Sequence, residues 1–352
     1  MSKGKKIGIA VLLVFVVGIV LSWGKISVFL DGRTGTINKE KQRFVLNTEL
    51  TIEEIGIKLR DAKVIDDLGA FLNVAEYKEL TSDKLGAGMY EIEPGTSYRT
   101  LLNGFTKGAS GQGNLEVEVL VTFNNCATVY DLAGKVSKCI GADSASIVNT
   151  ILDGNTLAKY DFTVETIPAL FLPNSYKMWY DTNADQFIAR MAEEFKNFWT
   201  ADRLAKLKQV GLSSPSQAVT LASVVYGEQA KNSSEWPIIA RLYLNRVNTG
   251  MRLQSDPTFK FCWGDQLKGV QRLTYEHRNK DCPYNTYLHN GLPPGPISIP
   301  PTEVVDAVLN PDDNDYIYMC AQPNYDGLHN FAVDYATHER YATEFQQWLA
   351  KQ

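Results

Sequence analysis

Ser214-Pro215-Ser216-Gln217-Ala218-Val219-Thr220-Leu221-Ala222-Ser223-Val224-Val225-Tyr226-Gly227-Glu228 is the stretch that decides how the second half of this chain folds. Ser214 suits a helix N-cap, Pro215 suits the first helical position, where no N–H is needed, and Gln217 stands where a capping box places its polar partner. Ala218, Leu221, Ala222 and Val225 then recur at helical spacing. Counted back on a 3.6-residue period, Glu228 lies over Leu221, Val224 and Val225, so its carboxyl shares the stripe expected to face inward. Desolvation there disfavours the charged form and raises the pKa, which leaves a proton available for donation near neutrality. The competing reading is an acid at the edge of the stripe, solvated or paired with a Lys or Arg, because charged residues are seldom buried without a reason. Gly227, in what should be helix interior, costs about 1 kcal/mol relative to Ala. It marks either the close approach of a ligand or chain segment, or the helix end. A second helix is expected from Ser233 or Ser234, with Pro237 in its first turn and a stop near Gly250.

With 352 residues, 44% of them hydrophobic and 21% charged, the chain is globular and large enough for two cores. Its net charge of −5, with no Lys/Arg cluster beyond the extreme N-terminus, excludes a nucleic-acid groove. That N-terminus carries Lys3, Lys5 and Lys6 ahead of an apolar run from Ile7 to Trp23, with no charge until Lys25. The run is long enough to span a bilayer, and no small-x-small cleavage site closes it, so an uncleaved anchor is favoured over a cleaved signal peptide. The flanking lysines place residues 1–6 on the cytoplasmic side and everything after about Ser27 outside the membrane. The five cysteines are odd in number. Cys262 and Cys282 flank a polar insertion that a disulfide between them could staple. Without tight CxxC or HxxxH spacing, and with scattered histidines, no metal site or other cofactor is expected.

The expected organisation is α+β. A cytoplasmic tail (1–6) and a transmembrane helix (7–25) lead through a polar linker (26–43) to a small module (44–114) and a mainly helical α+β domain (115–352). In the small module, Phe44 to Leu46 and Met89 to Ile92 read as strands around helices at Ile52 to Lys63 and Leu68 to Glu79. A further helix is expected at Tyr98 to Phe105 after the Pro94-Gly95 turn. Lys107 to Asn114 reads as a hinge or hairpin. Leu115 to Phe123 alternates as a half-buried strand, and helices follow at Val129 to Cys139 and Ala142 to Leu152. Gly291 to Pro296 is a rigid loop. Tyr316 to Ala321 and His329 to Val333 read as strands, and Tyr335 to Lys351 as a closing helix.

Several blocks, in order, resemble the endolytic murein transglycosylase (YceG-like) family. They are Gly86-Ala87-Gly88-Met89-Tyr90 with Pro94-Gly95, Leu172-Pro173-Asn174-Ser175-Tyr176, Leu221 to Val225 leading to Glu228, Asn245-Arg246, Gly250-Met251, Leu253-Gln254-Ser255-Asp256-Pro257-Thr258, Tyr284-Asn285-Thr286-Tyr287 and Gly291 to Ile297. The resemblance implies a LysM-like module on the amino-terminal side of the catalytic domain. It also implies a single-pass protein of the bacterial inner membrane, whose partners are peptidoglycan glycan strands and, among proteins, peptidoglycan synthases. Many relatives carry two acids as E-x-E; here Tyr226 takes the first position, leaving Glu228 alone. Gly327-Leu328-His329-Asn330-Phe331 keeps the spacing of the family's G-x-H-x-F, and Cys282 stands where relatives often have a small residue.

The implied reaction needs no enzyme nucleophile, unlike ordinary glycosidases with their two carboxylates. Glu228 protonates the MurNAc–GlcNAc glycosidic oxygen and stabilises the oxocarbenium-like state. It then takes the proton of the muramic 6-hydroxyl, which attacks its own C1 to leave a 1,6-anhydro end. Gln254, Asp256 and Asn285 are candidates to hydrogen-bond the sugars, although Asp256-Pro257 could equally cap a turn. Tyr284, Tyr287 and Pro294 offer faces for pyranose rings, or else belong to the core. Asn245 is a further candidate contact, or with Arg246 it anchors its helix. A hydrolytic muramidase using the same acid, or a non-catalytic wall-binding scaffold, are the alternatives.

Overall fold

The computed structural model describes residues 16, 23–46, 49–108, 115–267, 270 and 274–351. The expected span at 7–25 falls mostly outside the described residues, as does most of the tract at 107–114. Residues 23–31 are helical, and among the described residues no helix is long and apolar enough to cross a membrane. The chain is mixed α+β, mostly helical with two-stranded sheets, and divides into two compact units. One contains the described residues up to Leu120 together with Lys177–Asp181; the other contains Val121–Tyr176 and the residues from Thr182 onward.

The first unit is built on strand β1 (Gln42–Leu46) paired antiparallel with β2 (Gly88–Ile92), Phe44 opposite Tyr90. Between them run helices α1 (Ile52–Asp61) and α2 (Leu68–Tyr77), and α3 (Tyr98–Gly104) follows. Each starts where a short polar side chain accepts an orphan N–H. Thr51 and Glu54 form a reciprocal capping box on α1, and Asp67 and Ser97 cap α2 and α3. The alternating face of the strands buries Phe44, Leu46, Tyr90 and Ile92 against Ile55, Phe71, Tyr98 and Phe105. Residues 34–38, read above as linker, run along this unit. Thr36 N–H donates to Thr96 O at 2.9 Å, Ile37 N–H donates to Val64 O at 2.8 Å, and the Asn38 amide donates to Ile92 O at 3.0 Å.

The second unit contains β3 (Val119–Phe123) from Val121 onward and helices α4 (Val129–Val136), α5 (Ser144–Leu152) and α6 (Gly154–Tyr160). Strand β4 (Asn174–Met178) pairs with β3 although its polar start gave no strand signal. Helices α7 (Ala184–Phe198) and α8 (Ala201–Gln209) lead to α9 (Pro215–Glu228). Ser214 caps α9 as expected by accepting the Gln217 N–H, but Gln217 returns its bond to the Ser213 N–H rather than to the cap itself. The single apolar stripe expected for α9 is too narrow a description, because every residue from Ala218 to Val225 is buried. A helix apolar all round belongs in the middle of a core. This one packs against α10 (Trp236–Asn248), α11 (Asp256–Trp263) and α13 (Thr302–Leu309), with the short α12 (Tyr275–Arg278) lying beyond α11. Its two buried hydroxyls are satisfied. Thr220 donates to Ser216 O, while Ser223 donates to Thr220 O and accepts the Ile297 N–H at 3.0 Å, which pins the end of the proline loop to the helix.

The chain closes with an antiparallel hairpin, β5 (Tyr318–Ala321) and β6 (His329–Ala332), and the helix α14 (Tyr335–Leu349). Cys262 and Cys282 form a disulfide, and Cys126, Cys139 and Cys320 are free. The bridge closes a loop of sequence separation 20, for which chain entropy alone gives roughly 3 kcal/mol of stabilisation. Replacing both partners by Ser should lower the thermal midpoint. Thiol titration of the denatured wild type should find three reactive groups without reductant and five with it.

Candidate active site

Glu228 is the last residue of α9, and its half-buried side chain lines a cleft of about 550 Å³ within the second unit. That size suits a small-molecule or oligomer subsite. Two hydroxyls converge on one carboxyl oxygen: Tyr243, on α10, donates to Glu228 Oε1 at 2.7 Å, and Ser255, the residue before α11, donates to the same atom at 2.5 Å. Oε2 takes no hydrogen bond among the described residues. With Oε1 occupied as an acceptor twice over, the proton of the neutral acid belongs on Oε2.

Burial raises the pKa of Glu228 above its ordinary value, and the charge of Asp256 pushes the same way. The bonds from Ser255 and Tyr243 and the nearby His329 pull it back. Its place in the last turn of α9 also opposes ionisation, because the helix dipole puts partial negative charge there. Tyr243, driven well above its usual pKa by burial and by Glu228, keeps its proton and remains a donor. The site therefore favours the protonated form of the acid more than water does, while its conjugate base already has two donors waiting, the balance a general acid needs.

Gly227 explains how the acid reaches this position. A Cβ there would lie 2.8 Å from Pro257 Cβ, so only glycine lets the end of α9 rest against the segment that delivers Ser255. Gln254, at φ 50°, makes the turn into that segment, its N–H donating to Thr286 O at 3.1 Å. Ser255 N–H donates to Thr286 Oγ1 at 3.0 Å, and Thr258 Oγ1 sits 2.8 Å from the same hydroxyl, locking the segment from behind.

The sequence candidates separate into three groups. Gln254, Asp256 and Tyr287 line the cleft with Glu228. Asp256 is also the first residue of α11, and it accepts the Tyr287 hydroxyl at 2.6 Å with Arg278 at 3.8 Å. Asn285 and Asn245 stand behind the wall. Buried Asn285 gives its amide to the carbonyls of Arg278 and Lys280 and accepts the Tyr287 N–H, while Asn245 holds the carbonyls of Asn314 and Tyr316. Tyr284 packs on Phe261 at 4.6 Å, and Pro294 borders a separate pocket near the start of α9.

Sequence reasoning missed Tyr243 and Ser255 as partners of the acid. Ser255 lay inside a block already singled out, whereas Tyr243 was signalled only by helical phase, one turn before the buried Arg246. Arg246 itself donates to Ile317 O and Leu253 O, bracing the hairpin and the Gln254 turn. Among the described residues no cluster of His, Cys, Asp or Glu could hold a metal ion.

The sequence pattern of the YceG-like family matches residues 44–344. Two similar proteins are named endolytic murein transglycosylase. The one from Streptococcus pneumoniae serotype 2 (strain D39 / NCTC 7466) is 25% identical over 316 residues, 83% of this chain and 56% of that protein. The one from Bacillus subtilis (strain 168) is 26% identical over 288 residues, 78% of this chain and 77% of that protein. The chain thus spans a little over half the length of the pneumococcal relative. In fold it is similar to the 2.6 Å crystal structure of a yceG-like protein from Listeria monocytogenes, with a TM-score of 0.53 at 24% identity, covering 86% of this chain and 99% of that one.

The raised pKa has a thermodynamic consequence. The folded state holds the Glu228 proton where the unfolded chain has lost it, so this contribution to stability is complete below the unfolded value near 4.5 and is lost as pH rises through the higher folded value. Glu228→Gln cannot ionise and can still accept from Tyr243 and Ser255. Its thermal midpoint should exceed that of the wild type at neutral and alkaline pH, the gap closing as pH falls toward 4.5. By contrast, Gly227→Ala should cost about 1–3 kcal/mol in denaturant unfolding, because it overpacks the contact with Pro257.

Proposed function

The chain belongs to the YceG-like family, and from that membership and the acid of raised pKa in its cleft we propose that it is an endolytic peptidoglycan lytic transglycosylase. It cuts the β-1,4 bond between MurNAc and GlcNAc within nascent glycan strands, leaves 1,6-anhydroMurNAc ends and so terminates strand elongation. The observation that carries this reading is the double hydrogen bond on Glu228 Oε1, which leaves Oε2 to carry the proton of the neutral acid in a residue that lines the cleft. Glu228 gives that proton to the glycosidic oxygen. The carboxylate so formed is stabilised by Tyr243 and Ser255 and by its attraction to the oxocarbenium-like carbon, and it regains a proton when the muramic 6-hydroxyl closes on C1.

A hydrolase of the two-carboxylate kind is less well supported. Asp256 is the only other carboxylate among the described residues lining the cleft, and it is committed to Tyr287 and Arg278. Intramolecular attack needs no second carboxylate because the nucleophile is tethered to the reacting carbon.

In this reading the first unit is a LysM-like glycan-binding module, which its strand–helix–helix–strand order supports. The lysines and apolar run of residues 3–23 support a single-pass anchor in the inner membrane with both units on the far side. Peptidoglycan synthases, which make the nascent strands, are the protein partners this placement suggests.

Digestion of uncrosslinked glycan strands by wild type and Glu228→Gln, with mass spectrometry of the new ends, tests the assignment. The wild type should release ends lighter by one water than reducing ends, and the variant should be slower by about 10²–10⁴-fold. Reducing ends would point to hydrolysis, and undiminished cleavage by the variant would remove Glu228 from the chemistry.

A further inference from the structure

The cleft carries a group that the mechanism above leaves unused. His329, the first residue of β6, lines the cleft with Glu228 and is held from behind by the buried side chain of Glu235. Glu235 Oε1 accepts the His329 backbone N–H at 2.8 Å, and Glu235 Oε2 lies 2.8 Å from His329 Nδ1. Oε2 also accepts from Gln229 Nε2 at 2.7 Å, and the same Gln229 nitrogen donates to Gly327 O. The orientation of the Gln229 amide is not ambiguous, since its oxygen accepts the N–H groups of Lys231 and Asn232. Glu235 is thus surrounded by donors and acts as an acceptor, so Nδ1 carries a proton and gives it to Oε2. Nε2 takes no hydrogen bond among the described residues and is the ring nitrogen left to meet a ligand in the cleft.

Arg246, Lys260 and Arg278, which share the cleft, can only donate, and of its acceptors Asp256 already holds the Tyr287 hydroxyl. A pyranose hydroxyl that must turn its oxygen toward a carbon needs somewhere to point its hydrogen. Resting on the transglycosylase reading, we infer that His329 is a substrate-orienting residue whose Nε2 hydrogen-bonds a sugar hydroxyl, with Glu235 fixing the ring through Nδ1. The arrangement follows the general logic by which a buried carboxylate sets the tautomer of a working imidazole. Here the imidazole orients rather than transfers, and no bond is made or broken at it.

The test uses the full chain and uncrosslinked glycan strands, following release of anhydro ends. His329→Asn keeps a side-chain N–H near the place of Nδ1, and hence the bond to Glu235, but has nothing at Nε2. Its kcat should fall by about 10²-fold, the cost expected of a misoriented nucleophile, while KM and the thermal midpoint stay close to wild type. Glu235→Gln leaves the imidazole in place but removes the obligatory acceptor at Nδ1, so kcat should fall in the same direction with His329 intact. Wild-type kcat in His329→Asn overturns the inference. So does a loss of rate in both variants that merely follows a loss of thermal stability. Failure of the underlying reading is separately visible: the wild type would release no anhydro ends, or Glu228→Gln would cleave at full speed.

Discussion

Glu228 Oε1 is a shared acceptor for two hydroxyls from separate stretches of chain, and the position of the cleft depends on that convergence. Tyr243 arrives on α10, Ser255 arrives at the head of α11, and both meet the end of α9. The Ser255 bond could not form if α9 stood off from that segment, and the missing side chain at Gly227 is what lets the two come together. The interaction does two opposite things. It makes the buried carboxyl tolerable as a carboxylate, and by occupying one oxygen it decides where the proton sits when the group is neutral. An acid buried without donors would hold its proton too tightly, and one with donors on both oxygens would not keep it.

Much of this was legible because it is local. Helix α9, its Ser214 cap, its Pro215 start and the position of Glu228 followed from a few residues of sequence, and the helix stop at Gly250 followed from the need for a left-handed residue there. The close approach at Gly227 was one of two readings left open, and both hold: the helix ends a residue later, and Pro257 rests on the glycine. What sequence could not supply was the partner of each buried polar group. A 3.6-residue pattern shows that Tyr243 faces inward but not what it faces, and the difference between a stripe and a helix buried all round depends on neighbours far along the chain. Asn285 illustrates the cost. Its amide chemistry suits sugars as well as it suits peptide carbonyls, and only the packing of the loop around it shows that Arg278 and Lys280 have already taken it.

The histidines make the same point from the other side. As scattered residues they had no metal-ligand spacing, and among the described residues no metal cluster is found. Yet two of them line the cleft. His338 stacks on Tyr318 at 5.1 Å, with its pKa lowered by burial and by Arg246, while His329 is gripped by a carboxylate. Spacing rules look for side chains that share a ligand; here the imidazoles share a surface assembled by a hairpin and a terminal helix.

The bonds from Glu235 to His329 join residues 94 positions apart, and the hairpin that carries His329 comes after everything else in the cleft except α14. A ribosome that has delivered the chain only as far as the proline loop has already made Glu228, Tyr243 and Ser255, but not the hairpin that also lines the cleft. Nascent or prematurely terminated chains would therefore carry the acid in an open half-groove. Assembly order itself withholds a complete cleft until the hairpin and α14 have been made.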